Sequence, residues 1–161
     1  MERDIPVLVV PIGLIRELSG PATPSDFTQA NAIADRMEIA ARAREIVMER
    51  ERQLGYEPRD VEFERLGYDI ESIDRVTGAL RFIEVKGRTE TATTITVTKN
   101  EILYSLNNPE HYVLAIISFG EDGSHINTYL KSPFHAAPDF GAQSVNYSLE
   151  ELIASGVQDF G

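Results

Sequence analysis

Asp69, Glu84 and Lys86 are charged residues set inside segments otherwise built from strand-forming side chains. Between them, "IDRVTGAL" carries a hairpin signal from Asp74 to Gly78, with Gly78 suited to a left-handed backbone. With Val76 and Thr77 at the centre of the turn, Asp69 falls opposite Glu84, their β-carbons about 5 Å apart on one face. Lys86 shares that face by alternation, and the residue opposite it is Gly67, which leaves space beside it. A slip of one residue would break the group apart.

Two carboxylates that close repel, and their joint ionisation is costly unless something positive neutralises them. Lys86 supplies one charge and a divalent cation would supply two. Carboxylate oxygens suit Mg²⁺ or Mn²⁺, with waters completing the octahedron. Such a site orients a phosphodiester and lowers the pKa of a water to make a nucleophile, while a nearby lysine stabilises developing charge. The bland alternative is a cross-strand charge network on a solvated sheet face. Glu71 reads as a solvent-facing strand residue. Arg88 is a candidate phosphate contact, although a lone arginine after a strand more often faces water.

The elements that must position these residues follow from periodicity. "IPVLVVPIGLI", Ile5 to Ile15, reads as a buried strand, and "SGPATPS" as a loop. Residues 25–54 are rich in Ala, Glu, Arg and Met, lack Pro and Gly, and are followed by Gly55, which predicts one long helix. Its apolar positions, among them Ile33, Met37, Ala40, Ala43, Ile46 and Val47, cover a wide arc and imply heavy burial. "DVEFERL", "GYDIESI", "ALRFIEVKG" and "TTITVT" read as extended, and "KNEILYSLNN" as a short helix. "HYVLAIISF" suits a strand buried on both faces. "EDGS" is a turn, "HINTYLK" a returning strand, "SPFHAAPDFG" a loop packing its two phenylalanines over the core, and "SLEELIAS" a last short helix. The expectation is one α/β (α+β) domain over 1–161: an N-terminal strand and loop over 1–24, a core over 25–131, and a C-terminal loop and short helix over 132–161.

Composition narrows the function classes. The 161 residues suffice for a hydrophobic core, and 42% apolar with 25% charged residues is ordinary for a globular protein. The absence of cysteine excludes a disulfide framework or thiolate metal site. The apolar run at 5–15 is too short to cross a bilayer as a helix and is broken by Pro6 and Pro11, so the expectation is a cytoplasmic protein with no membrane partner. A net charge of −11 argues against a broad grip on nucleic acid, though not against a small local site. No Lys or Arg follows Lys131, whereas Arg36, Arg42, Arg44, Arg50 and Arg52 crowd the long helix. His111, His125 and His135 have no metal-ligand spacing. Thr98 followed by Glu101 is a capping box, and Lys99 beside it is a weak candidate for touching a nucleic-acid backbone.

An aspartate at the end of one strand, a spacer, and Glu-x-Lys on the next resembles the signature of the PD-(D/E)XK nuclease superfamily, here Asp69 and then Glu84-Val85-Lys86. The surrounding series "GYDIES", "RFIEVKGR", "ITVTKNE" and "YVLAIIS" is similar to the NO VEIN C-terminal family, a domain of unknown function often found at the ends of bacterial and archaeal helicase-like proteins. The resemblance covers about Met37 to Leu130. It implies a restriction-endonuclease-like core, a mixed central sheet flanked by helices with the metal site at the hairpin. Asp69, Glu84 and the Val85 backbone carbonyl would hold Mg²⁺ or Mn²⁺, and Lys86 would be the catalytic lysine. Many superfamily members add a glutamate from the preceding helix. Glu38, Glu45 and Glu49, at spacings of seven and four, line one helical stripe, with Glu38 and Glu49 best placed. The superfamily's proline before the aspartate is replaced here by Tyr68. The implied activity is metal-dependent hydrolysis of DNA, accessory to a helicase or a defence or repair system. The rivals are a catalytically inactive nucleic-acid- or protein-binding accessory domain of the same fold, and a purely structural interaction domain.

Overall fold

The computed structural model describes residues 24–158, so the strand expected at Ile5–Ile15 lies outside the described residues. The chain divides into two compact units, Met1–Arg36 and Met37–Gly161. Of the first, the described part is the opening of helix α1 (Pro24–Gln53).

The second unit holds the rest of α1 and the sheet. Strands β1 (Tyr56–Asp60), β2 (Ile70–Asp74), β3 (Leu80–Thr89), β5 (Tyr112–Phe119), β6 (His125–Lys131) and β8 (Val157–Gln158) form a mixed sheet in the order β1-β2-β3-β5-β6-β8. Among the described strands only the central β3–β5 pair is parallel; its crossover contains strand β4 (Thr94–Thr98) and helix α2 (Lys99–Asn107). β4 pairs with β7 (Ser144–Ser148) in a separate two-stranded sheet, and helix α3 (Leu149–Ser155) follows β7. Among the described residues no helix is long and apolar enough to cross a membrane.

Each face of the main sheet has its own apolar layer. Ile70, Ile83, Val85, Val113, Ala115 and Ile117 meet Ala43 and Val47 of α1 on one face. On the other, Tyr112, Leu114 and Ile116 meet Ile95, Val97, Ile102 and Leu152. β5 is apolar throughout because it contributes to both layers. Burying one such branched side chain is worth about 1.5–3 kcal/mol. The burial expected along the whole helix is confined to its second half: Ala43 and Val47 are fully buried, whereas Ile33 and Met37 are 52% and 68% exposed. The approach there is close because Gly87 of β3 has no side chain; a β-carbon on it would lie 2.8 Å from the Ile39 carbonyl oxygen and 3.1 Å from Ala43 Cβ.

Two further expectations are corrected. "DVEFERL" is not a strand: β1 lies upstream at Tyr56–Asp60, and Glu62–Glu64 form a 3-10 turn that ends at Arg65 in the left-handed conformation, φ 54°. Pro58 sits within β1 because that strand is the sheet edge among the described residues, where a missing N–H costs no ladder bond. "TTITVT" is extended as expected, and its strand β4 lies in the two-stranded sheet, with Ile95 and Val97 turned into the core while Thr94, Thr96 and Thr98 stay exposed. Of the two phenylalanines in 132–141, Phe134 is buried but Phe140 is 99% exposed, its backbone carbonyl accepting a hydrogen bond from Lys99 Nζ at 2.7 Å.

Candidate active site at a fork in the sheet

The β2–β3 hairpin sets the geometry. Asp74 Oδ1 accepts hydrogen bonds from the amides of Val76 and Thr77 at 2.7 and 3.1 Å, and Gly78 takes φ 74°, so Arg75–Gly78 form a turn centred on the Val76-Thr77 pair. Ile70 therefore pairs with Ile83 and Glu71 with Phe82, and Asp69, one residue before the ladder, shares a pocket with Glu84. The regular ladder ends there. β3 continues to Thr89 against β5, while the chain before Ile70 turns away from it.

At this fork the Val85 amide is met by a side chain: Asp69 Oδ2 accepts its N–H at 2.9 Å, while the Asp69 amide donates to the Ile83 carbonyl at 3.0 Å. Asp69 thus has a structural duty, satisfying a backbone donor that β2 no longer covers. Burial raises its carboxyl and outweighs the opposing Val85 hydrogen bond, leaving it at about 6.

Glu84 is 3% exposed. Its Oε1 lies 2.6 Å from Lys86 Nζ, and the same ammonium lies 2.8 Å from Glu101 Oε2. Burial, with Asp69 and Glu101 adding to it, pushes the Glu84 carboxyl well above the ordinary carboxylate range despite Lys86. For Lys86 burial works against the charged form, but Glu84 and Glu101 prevail and hold its pKa above the usual lysine value. Tyr112 lies behind the cluster; its hydroxyl is buried without a hydrogen bond, and burial pushes its pKa well up.

Asp69, Glu84 and Glu101 open into one pocket of about 230 Å³, together with Glu62, Arg65 and Asn100. Gly67 lines the same pocket with φ 99°; a β-carbon there would lie 3.0 Å from Tyr104 Cβ, so its bareness admits helix α2. Glu62 comes from the 3-10 turn and is tied to Arg44 of α1 at 2.5 Å. Lys86 does not line the pocket and sits behind Glu84 and Glu101.

The other sequence candidates lie elsewhere. Glu38 is exposed, and Glu49 bonds Arg52 and Gln53 on the outer surface of α1. Arg88 donates to the Gly87 carbonyl at 2.7 Å, and Lys99 to the Phe140 carbonyl. Val85 enters the site through its N–H. Glu62 and Glu101 were missed by sequence reasoning. The Thr98–Glu101 capping box is present as expected, but Glu101 uses its Oε2 for two partners, the Thr98 amide at 3.0 Å and Lys86. No local signal marks Glu62, because the alternation of "DVEFERL" imitates a strand where the chain forms a 3-10 turn.

Among the described residues no three Asp, Glu or His side chains converge closely enough to hold a metal ion, because Lys86 draws Glu84 and Glu101 to itself. The donor chemistry nevertheless fits a hard divalent cation, since carboxylate oxygens of Asp69 and Glu84 share a pocket with room for water.

No curated protein matches this sequence. Among solved structures, a Holliday junction resolvase from Archaeoglobus fulgidus is similar with a TM-score of 0.48 and 11% identity, over 74% of this chain and 90% of that one. Residues 39–129 match the family described as Protein NO VEIN, C-terminal. That span is more than half of the sequence, and the chain belongs to the NO VEIN C-terminal family.

Proposed function

We propose that this chain is a divalent-cation-dependent phosphodiester hydrolase acting on DNA, built on a restriction-endonuclease-like core. The observation that carries this reading is the convergence of Asp69 and Glu84 on one pocket with Lys86 2.6 Å from Glu84. Asp69 and Glu84 would hold Mg²⁺ or Mn²⁺, with the Val85 carbonyl next in line on β3. The cation would supply Lewis acidity toward a phosphoryl oxygen and a lowered pKa for an attacking water.

The chain's own residues account for the rest. Glu62, Asp69, Glu84 and Glu101 make the pocket acidic, so a phosphodiester is repelled until positive charge enters. This ties substrate entry to cation binding. The Val85 N–H fixes the Asp69 carboxylate, and Lys86, which sits behind Glu84 and Glu101, would stabilise charge developing on the phosphoryl group once Glu84 turns to the cation. A net charge of −11 gives little hold on distant phosphates, so a helicase-like partner, as the family resemblance implies, would present the DNA. The test is cleavage of single- and double-stranded DNA with Mn²⁺ by wild type and Lys86→Ala. A loss of about 100-fold or more is expected; equal rates would remove the catalytic assignment.

A second reading keeps the fold without turnover, as a nucleic-acid- or protein-binding accessory domain. The pairing of Lys86 with carboxylates on two sides, away from the pocket lining, favours it. Calorimetric titration with Mn²⁺ separates a functional centre from a relic: a working one binds the ion, and Glu84→Gln weakens that binding.

A further inference from the structure

Lys86 has two carboxylate partners, and the proposed chemistry requires one of them for something else. Glu84 cannot serve the cation and remain fully engaged with the ammonium at 2.6 Å. Glu101 also lines the pocket, but its carboxylate is already fixed by the start of α2. It arrives from the first turn of α2, its backbone amide fixed by the Thr98 hydroxyl at 3.3 Å and its Oε2 by the Thr98 amide at 3.0 Å. The same oxygen reaches Lys86 Nζ at 2.8 Å across the face of the sheet. Both side chains are largely withdrawn from water, Lys86 at 12% and Glu101 at 14% exposure, so the ion pair is little screened.

We propose that Glu101 is a positioning residue: its carboxylate holds the Lys86 ammonium at the site when a divalent cation engages Glu84. This rests on the phosphodiesterase reading of Asp69, Glu84 and Lys86. The capping box does double duty, since the bonds that start α2 also immobilise the acceptor that orients the lysine. A charged acceptor is required because charge-assisted hydrogen bonds are about twice as strong as neutral ones. Glutamine would still cap the helix.

Two variants separate the roles. Glu101→Gln keeps the cap and loses the charge; Thr98→Ala loses the capping hydroxyl and keeps the charge. The first readout needs no turnover: acetylation of Lys86 by an N-hydroxysuccinimide ester, followed by mass spectrometry, with and without Mn²⁺. With Mn²⁺, Glu101→Gln is expected to label Lys86 at least threefold faster than wild type, while Thr98→Ala labels it at the wild-type rate despite a lower Tm. The reverse pattern, with Thr98→Ala labelled fast and Glu101→Gln like wild type, would reduce Glu101 to a helix cap and overturn the proposal. Unchanged labelling in both would overturn it too. In cleavage, Glu101→Gln is expected to lower kcat at least fivefold with KM within twofold. Should wild type fail to cleave, the phosphodiesterase reading fails, and the labelling still decides whether Glu101 holds Lys86.

Discussion

On the face of the sheet covered by α1, Glu51 is fully buried, 3.4 Å from Arg81 and 3.8 Å from Arg50; on the opposite face Glu84 is buried 2.6 Å from Lys86. Both are acidic side chains withdrawn from water beside cations, yet they differ in two ways. Neither oxygen of Glu51 makes a hydrogen bond, and the hydroxyls of Ser72 and Tyr129 are buried without one on the same face. Arg50 stacks over the Tyr129 ring, 3.8 Å from its centroid. Lys86, in contrast, is tightly bonded, and its partners Glu84 and Glu101 open into the pocket. Buried charge alone is therefore a poor marker of chemistry. What separates the clusters is access for a ligand and the supply of further carboxylates around it.

The comparison can be broken most sharply at Glu51. Glu51→Ala removes the buried carboxylate beside Arg81 and Arg50 and is expected to cost about 3–5 kcal/mol in urea unfolding. A loss below about 1 kcal/mol would show that the cluster is not closed to solvent. Next comes Gly87→Ala, where the new methyl meets the Ile39 carbonyl at 2.8 Å. The expected loss is about 1–3 kcal/mol, read the same way.

The site face should respond with the opposite sign. Asp69 ionises at about 6 in the fold against a reference of 3.8. Below about pH 4 both states hold the proton. Between about 4 and 6 the native state keeps a proton that the unfolded chain has lost, so stability falls as pH rises, and above about 6 the penalty is complete. Asp69→Asn is accordingly expected to stabilise by about 1–2 kcal/mol at pH 7.5, with the advantage fading toward pH 4. An advantage independent of pH would mean that ionisation is not its source. The smallest effect is expected from Tyr112→Phe, which deletes a hydroxyl without a hydrogen bond and should change stability by less than about 1 kcal/mol.

Much of this site was legible because local rules set it. Asp74 and Gly78 dictate the turn, the turn dictates the register, and that register brings the start of β2 and the middle of β3 together, where Asp69 and Glu84 line one pocket. Helix α1 and the Thr98–Glu101 cap were legible for the same reason. Long-range packing was not. Glu101 meets Lys86 only because α2 lies across the sheet, a contact between residues fifteen apart that no periodicity encodes. Glu62 was hidden by "DVEFERL", whose alternation imitates a strand although Arg65 takes a left-handed backbone that ends the 3-10 turn. Phe140 misled in the opposite direction, being apolar yet exposed while its carbonyl holds Lys99.

The Val85 amide, satisfied by the Asp69 carboxylate instead of a neighbouring strand, has a practical consequence. Its proton is a built-in spectator of the candidate site. In a nitrogen-15 correlation spectrum its shift should titrate with the carboxyl near pH 6 and jump when an ion takes the same oxygens. One resonance on β3 would thus register occupancy without substrate, partner or turnover.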